Sequence, residues 1–461
     1  MGATATIAEF IVKTNAAHFP AGSTEKAIKV IADTYAVILA GVSSEVAEPL
    51  QKYQERMRES GASPILGTGR TASPEMAALI NGTYGHSLDY DDVLSMMPAH
   101  PSAVILSAIL ASIDRNTISG KDFIEAYIMG VEVGGKLGVG MTNDHYQRGY
   151  HATGTLALFS GLAALCKLYK LDAATIQQAI GIAGSMASGL RRNFGTMTKP
   201  LHTGLAARSA LTAFRLAQSG FTAAPDIMEA KAGFFSTYGA PDSNPDVTAD
   251  NLGKHFVIDN PGIALKKFPC CYATHRGMDG VLTLRDKLKF DAASVEKVIC
   301  RMPPGGMHVL IYPRPVTGLE GKFSLPYCLA AGVLDGQFSL WSFSDEAVRR
   351  PEIAALYEKI DAHETPACRG DDPQFDKKSS GSRGFVEVEV LMKDGRRDQM
   401  RIDVPPGHPK RELTWDDLHA KFLDCARQAP RISAAAAEAA FADIRNLAAL
   451  KDVGVITQRL H

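Results

Sequence analysis

Apolar residues recur at helical spacing from about Thr24 to about Gln218. Between Thr24 and Ala40 they fall at Ile28, Ile31, Ala32, Tyr35, Ile38 and Leu39, one face of a 3.6-residue period. Ser73 before Pro74-Glu75 predicts a capped helix start with proline at the first helical position. Ser102 to Ile113 is apolar almost all round and predicts a fully buried helix. Further helices are predicted over Ser119–Leu137 and Ala152–Tyr169, over Ala173–Leu190 capped by Asp172, and from Pro200 to Gln218. After about Asn260 the period changes. Val295–Met302 reads as a strand, and Gly384–Met392 alternates as a half-exposed strand does. Lys393-Asp394-Gly395 is a hairpin turn leading to a return strand, Gln399–Val404. Helices at about Thr274–Lys287 and Phe323–Leu334 lie among these strands, the polar stretch Glu364–Ser382 reads as a loop, and Thr414–Leu447 is helical again. The pattern predicts a mainly α protein. A large all-helical domain spans residues 1–265, and a smaller α+β domain spans 266–404, bounded by Pro405-Pro406-Gly407-His408-Pro409.

The predicted helices carry many glycines, among them Gly130, Gly134, Gly135, Gly181 and Gly184. Each costs about 1 kcal/mol against alanine inside a helix. Close helix-helix approach is the compensating gain. Charged residues recur too often among them for membrane spans, and no apolar run reaches spanning length. The N-terminus lacks a basic segment followed by an apolar core, so no secretory signal is expected. At 461 residues, 46% hydrophobic and net charge −1, the chain is a soluble globular protein with no basic excess for nucleic acid. A small anionic substrate needs only a local cluster of cations. The seven cysteines show no C-x-x-C spacing, and a reducing cytoplasm with free thiols is the simplest reading.

Titratable residues concentrate between His86 and His100. His86, Asp89, Asp91, Asp92 and His100 lie within fifteen residues, between two apolar helical patterns. Such density is costly between buried helices unless it does chemistry. Other readings are that Asp91 and Asp92 cap the next helix or pair with arginine, and that His86 packs or supports Asp89 from one helical turn away. Three later segments place His or Lys on Gly- or Pro-marked boundaries: Gly149 to Thr155 with His151, Asn193 to His202 with Lys199, and Lys266 to His275. Lys199 and His202 offer positive charge beside Arg191, Arg192 and Arg208, unless Arg191-Arg192 is a solvated face and His202 packs. His100, His151 and His275 titrate near neutrality and can exchange protons. Removing a proton alpha to a carboxylate needs a positioned base, and the enediolate formed needs cations or hydrogen-bond donors. There is no H-E-x-x-H pattern, no three-cysteine cluster set and no G-x-G-x-x-G after a strand, so no metal and no cofactor is expected.

The segments Asp89-Tyr90-Asp91-Asp92 with Ala99-His100-Pro101-Ser102, Gly195 to Gly204 (G-T-M-T-K-P-L-H-T-G), and Lys266-Lys267-Phe268-Pro269 with His275 resemble the MmgE/PrpD family. That family includes 2-methylcitrate dehydratase, cis-aconitate decarboxylase and iminodisuccinate epimerase. The resemblance implies that Asp89, His100, His151, Lys199 and His275 fall on active-site positions and that Tyr327 adds a further one. It also implies that the C-terminal helices, 405–461, rejoin the helical domain, that the α+β domain forms a lid with the site at the junction, and that the protein is a homodimer. Cis-aconitate decarboxylases carry a threonine after D-x-D-D where this chain has Val93, and the Asp89–His100 interval is one residue longer than in the mammalian pattern. The G-T-M-T-K-P-x-H-T-G form is closer to the bacterial epimerase and dehydratase branches. The expected activity is therefore a cofactor-independent lyase on a small di- or tricarboxylate, a 2-methylcitrate dehydratase-like enzyme. Epimerase-like and decarboxylase-like activities are the enzymatic alternatives, and a helical binding or scaffold protein is the non-enzyme one.

Overall fold

The computed structural model describes residues 1–113, 117–373, 375–378 and 380–461. The chain is mainly α and divides into two compact units, Met1–Ala264 with Thr414–His461, and Leu265–Leu413.

The first unit is a stack of helices. Pro101–Ser112 is buried at every position, which accounts for its lack of a polar face. It packs against Pro74–Ser87, Ala157–Leu168 and Thr198–Gln218. One tight crossing joins Pro74–Ser87 to Thr198–Gln218. A Cβ on Gly204 would lie 2.1 Å from the Leu79 carbonyl oxygen, and one on Gly82 would lie 2.9 Å from the Gly204 Cα. Only glycine permits this backbone-to-backbone approach. It fixes the end of one helix, carrying His86, against the start of the other, carrying Lys199. The C-terminal helix Trp415–Ala426 packs on Ser23–Gly41, where Lys421 pairs with Asp33 at 2.6 Å and donates to the Tyr90 carbonyl at 2.9 Å. Among the described residues no helix is long and apolar enough to cross a membrane.

Several boundaries differ from expectation. Ala3–Lys13 and Ala47–Met57 are helices that the periodicity did not single out, and Ser63–Ile65 pairs with Arg70–Ala72 as a short antiparallel ribbon. The helix begun at Gly120 continues to Gln147 across a break at Thr142, whose φ is 61°. Ala152–Thr155 and Ala157–Leu168 are separate helices meeting at Leu156. Ala173–Gly184 stops short of Leu190, and the chain then turns through Gly189 at φ 136°. Pro200 is the third residue of its helix rather than the first; its missing N–H is one of the donors a helix start leaves unpaired anyway.

The second unit is built on a four-stranded sheet in the order Ile360–Glu364, Val295–Met302, Val386–Met392, Arg397–Ile402. The first pair is parallel and the others antiparallel. Ile360–Glu364, half-exposed and carrying Asp361, His363 and Glu364, lacked the alternation that would have marked it as a strand. Val386, Val388, Val390 and Met392 point into the core, against the helix His275–Leu288. The stretch after residue 404 stays with this unit: Leu265 N–H donates to the Gly407 carbonyl at 2.9 Å, and Arg411 pairs with Asp279 at 2.6 Å. The polar stretch 364–382 contains the short 3-10 turns Pro366–Arg369, Phe375–Lys377 and Ser380–Ser382; Gln374 and Ser379, also read as loop, lie outside the described residues.

Candidate active site

Helix Pro74–Ser87 ends at Leu88, and Asp89 takes a left-handed backbone at φ 51°. Aspartate is among the residues that tolerate this region. The turn aims Asp89 at Lys199, and the two form an ion pair with each residue only 4% exposed. His86, one turn earlier, presents Nδ1 to both carboxylate oxygens of Asp91 at 2.9 Å. Asp91 Oδ1 also lies 3.7 Å from His100 Nδ1, which donates to the Asp92 carbonyl at 2.6 Å. The backbone N–H of His100 donates to Thr153 Oγ1 at 3.1 Å, tying the 88–100 loop to the turn that carries His151.

His151 is buried, and its Nδ1 lies 3.0 Å from Nδ1 of His202, so one ring donates and the other accepts. Gly189, at positive φ, accepts the His151 backbone N–H at 3.0 Å, and a Cβ there would lie 3.3 Å from the His202 ring. The rings of His86 and His100 are 4.4 Å apart, those of His86 and His151 5.8 Å, and those of His100 and His151 6.5 Å. Phe194 sets its ring edge-on to His151 at 5.0 Å, and the Lys199 ammonium lies 5.3 Å from its centre.

Burial governs the protonation of this cluster. It pushes the His151 imidazole well below the ordinary histidine range, reinforced by His86, Lys199, His202 and His100 around it. His202 is pushed down to about 4, first by burial and then by the Lys199 charge. Both are therefore neutral near pH 7. Asp92 moves the other way: burial, and then the Asp91 carboxylate, raise its carboxyl well above the usual range. Its side chain takes the Ser102 amide at 3.3 Å and the Ser102 hydroxyl at 2.6 Å, and that hydroxyl lies 2.7 Å from the Tyr127 hydroxyl. Asp92 thus satisfies the start of helix Pro101–Ser112, as the capping reading expects, whereas Asp91 serves histidines.

The first unit therefore gathers Asp89, His100, His151, Lys199 and His202 with His86 and Asp91. It does not gather the two arginines in the same way. Arg192 is exposed. Arg191 stacks 4.0 Å over the Tyr146 ring and donates to the Tyr146 carbonyl at 2.7 Å. Arg191 also lies 6.0 Å from the centre of the Phe194 ring that borders His151.

His275 and Tyr327 belong to the second unit. His275 is fully buried, opens helix His275–Leu288, and has Nε2 3.3 Å from the Cys270 carbonyl, between the rings of Phe268 and Tyr272. Its Nδ1 has no hydrogen-bond partner among the described residues. Tyr327 is fully buried in the hydrophobic core, donates its hydroxyl to the Ser342 carbonyl, and has its phenol pushed up by burial.

Sequence reasoning left His86 open between support and packing, and did not single out Phe194 or Thr153. The His86–Asp91 contact crosses a helix end, where neither helical nor strand spacing applies. Among the described residues, two groups set one potential ligand atom from each member within 4.8 Å of one another: His86, His100 and His151, and His86, Asp89 and Asp91.

Taken together, these features define a mainly α protein whose helical unit encloses an acid–base cluster suited to moving protons beside an anion. Residues 5–245 match the MmgE/PrpD N-terminal domain and residues 268–446 the MmgE/PrpD C-terminal domain, so the chain belongs to the MmgE/PrpD family. Human cis-aconitate decarboxylase is 28% identical over 449 residues, covering 95% of this chain and 90% of that protein. A cis-aconitate decarboxylase of Aspergillus terreus is 26% identical over 430 residues, covering 88% and 86%. The 2-methylcitrate dehydratase of Salmonella typhimurium is 24% identical over 393 residues, covering 79% and 78%. The relatives are thus lyases of two kinds. Identity and coverage are somewhat higher for the decarboxylases.

Proposed function

We propose that the chain is a lyase that acts on a small di- or tricarboxylate by removing a proton alpha to a carboxylate, and that its reaction is dehydration of a 2-methylcitrate-like hydroxy acid. The observation that carries this reading is the pairing, in one buried cluster, of the Asp89–Lys199 ion pair with imidazoles that burial keeps neutral. A neutral imidazole is a competent base at neutral pH. The Lys199 ammonium, held by Asp89, can exchange part of that contact for a substrate carboxylate and stabilise the enediolate. His151 is the leading base, His202 holds its ring orientation, and His100 is a second proton carrier supported by Asp91. His275, Tyr327 and the remaining site positions are assigned to the same reaction, as family membership implies. The reading includes turnover without metal or cofactor, a homodimer, and a reducing cytoplasmic setting, which the seven free thiols support.

Decarboxylation of a cis-aconitate-like substrate is the second reading, favoured by the 28% identity to the human enzyme over 95% of the chain. The two share proton movement near a carboxylate and part at the leaving group. NMR of purified protein in D₂O with EDTA, against citrate, 2-methylcitrate, cis-aconitate and iminodisuccinate, separates them. Alkene formed with loss of water is the expected result; alkene formed with carbon dioxide establishes the second reading. Deuterated substrate of inverted configuration would make the enzyme an epimerase. No exchange at any alpha carbon would refute proton abstraction. Activity lost to EDTA and restored by metal would overturn metal independence. Light scattering at the mass of a single chain, independent of concentration, would overturn the dimer.

A further inference from the structure

We propose that His86, His100 and His151 form a binding site for one divalent zinc ion, and that occupancy switches the enzyme off by coordinating its proton-transfer histidines. One ring nitrogen of each lies within 4.8 Å of the others, and no two of the three are neighbours in sequence. A tetrahedral site with Zn–N bonds of roughly 2.0–2.1 Å sets its nitrogens about 3.3 Å apart, so the rings need to close by on the order of an ångström.

The surroundings match what a zinc-ligating histidine requires. In such sites the ring nitrogen away from the metal is held by a carboxylate, a carbonyl or another polar group, which fixes the tautomer and the ring plane. Here Nδ1 of His86 faces the Asp91 carboxylate at 2.9 Å, Nδ1 of His100 donates to the Asp92 carbonyl at 2.6 Å, and Nδ1 of His151 faces Nδ1 of His202 at 3.0 Å. With each Nδ1 engaged, Nε2 is the nitrogen of each ring that the metal would take. The Asp91 carboxylate, held against His86 and 3.7 Å from His100 Nδ1, offsets part of the charge of a dication. Three imidazoles with a further position for water or a substrate carboxylate is an arrangement zinc adopts readily.

Binding itself stands on this geometry. The inhibition rests on the proposed role of these histidines in proton transfer. The test begins with metal-stripped protein dialysed against zinc alone, without substrate, and reads stoichiometry and the X-ray absorption of the bound ion. One equivalent with three imidazole nitrogens in its shell is expected. Asp91→Asn should weaken binding by roughly 10–100-fold, as loss of an orienting partner does. His100→Gln should remove the site, with circular dichroism confirming the fold of each variant. Turnover of the responsive substrate should fall in step with zinc occupancy and return on EDTA. No bound zinc, a shell of thiolates or oxygens, or affinity unchanged in both variants would overturn the site, and the shell measurement on the unsubstituted protein decides even where a variant misfolds. Turnover that rises with occupancy would overturn the switch. Absence of turnover on every substrate would refute the proposed reaction and with it the switch, while the coordination measurement still decides the site.

Discussion

In the helical unit, His86, His100, His151 and His202 stand in a connected group in which each ring meets a carboxylate, a carbonyl or another imidazole. In the α+β unit, His275 stands between Phe268 and Tyr272, with one weak contact to the Cys270 carbonyl and no hydrogen-bond partner for Nδ1. A buried polar atom left unsatisfied costs about 1–3 kcal/mol. The first arrangement engages the Nδ1 atom of His86, His100, His151 and His202 in one connected set, which can pass a proton internally. The second leaves one ring nitrogen for which the described residues offer no partner. Burial alone therefore does not separate a structural histidine from a functional one; the partner set around each ring does.

The largest effect expected is at the ion pair that anchors the connected group. Lys199→Ala leaves Asp89 buried without its main cation, and loss of one member of such a pair costs about 3–5 kcal/mol. Urea unfolding should show that loss, and turnover should vanish with it. Asp89→Ala should behave alike. The double variant Asp89→Ala/Lys199→Ala should regain most of the stability and none of the turnover. Recovery of both would reduce the pair to a packing device.

Next come the histidines themselves. His151→Gln should lower turnover by roughly 10²–10⁴-fold, the range for removing a general acid or base. His275→Gln should lower turnover within the same range, yet its effect on stability should be smaller, because less hydrogen bonding is lost. Paired kcat and urea-midpoint measurements check this. A His275→Gln protein with full activity would make the isolated imidazole a core residue.

What the chain disclosed in advance divides along the same line. Helices with a continuous apolar face, such as Ser23–Gly41 and Pro101–Ser112, and the strands Val295–Met302 and Val386–Met392 were legible because burial imposes a period. Ile360–Glu364 was not, since it lies at the sheet edge with polar side chains. Within the candidate site, the residues Asp89, His100, His151 and Lys199, which the fold brings together, were legible from motif and from their place at helix ends. The service of His86 by Asp91, and of His151 by His202, was not. Those contacts join a helix end to a loop, or residues 51 positions apart, where no local period reports on proximity. The stacking of Arg191 on Tyr146 was not legible either: charge is visible in sequence, but the ring it meets is not visibly its neighbour.

A pH experiment compares the units at smaller amplitude. His202 in the helical unit and His408 in the α+β unit are both pushed down to about 4, chiefly by burial, against about 6.5 in an unfolded chain. Between those values the unfolded state binds more protons than the folded one, so stability falls as pH drops from about 6.5 to about 4. His202→Gln and His408→Gln should each flatten part of that fall in the thermal midpoint. If the units melt in separate transitions, each variant should flatten its own. A pH dependence identical to that of the unsubstituted protein in both variants would contradict the depressed values. Turnover should also persist below pH 6.5, since His151 stays neutral there.

The smallest effect concerns a position in the 88–100 loop held by backbone. Val93 donates its N–H to the Ala264 carbonyl at 2.8 Å and accepts from the Ala264 N–H at 3.0 Å. Its side chain is 9% exposed and takes no part in that bridge. Val93→Thr therefore keeps the backbone in place and replaces a methyl with a hydroxyl, at a cost of about 1–3 kcal/mol if the hydroxyl finds no partner. Because the resemblance sets a threonine of cis-aconitate decarboxylases at this position, the expected change is in product rather than rate. With cis-aconitate, the share of turnover that releases carbon dioxide should rise, while dehydration of a 2-methylcitrate-like acid falls by less than tenfold. Headspace carbon dioxide and NMR of the same reaction read both. An unchanged partition would place the division between dehydration and decarboxylation elsewhere in the cluster, with the ring orientations set by Asp91 and His202 as the next positions to vary.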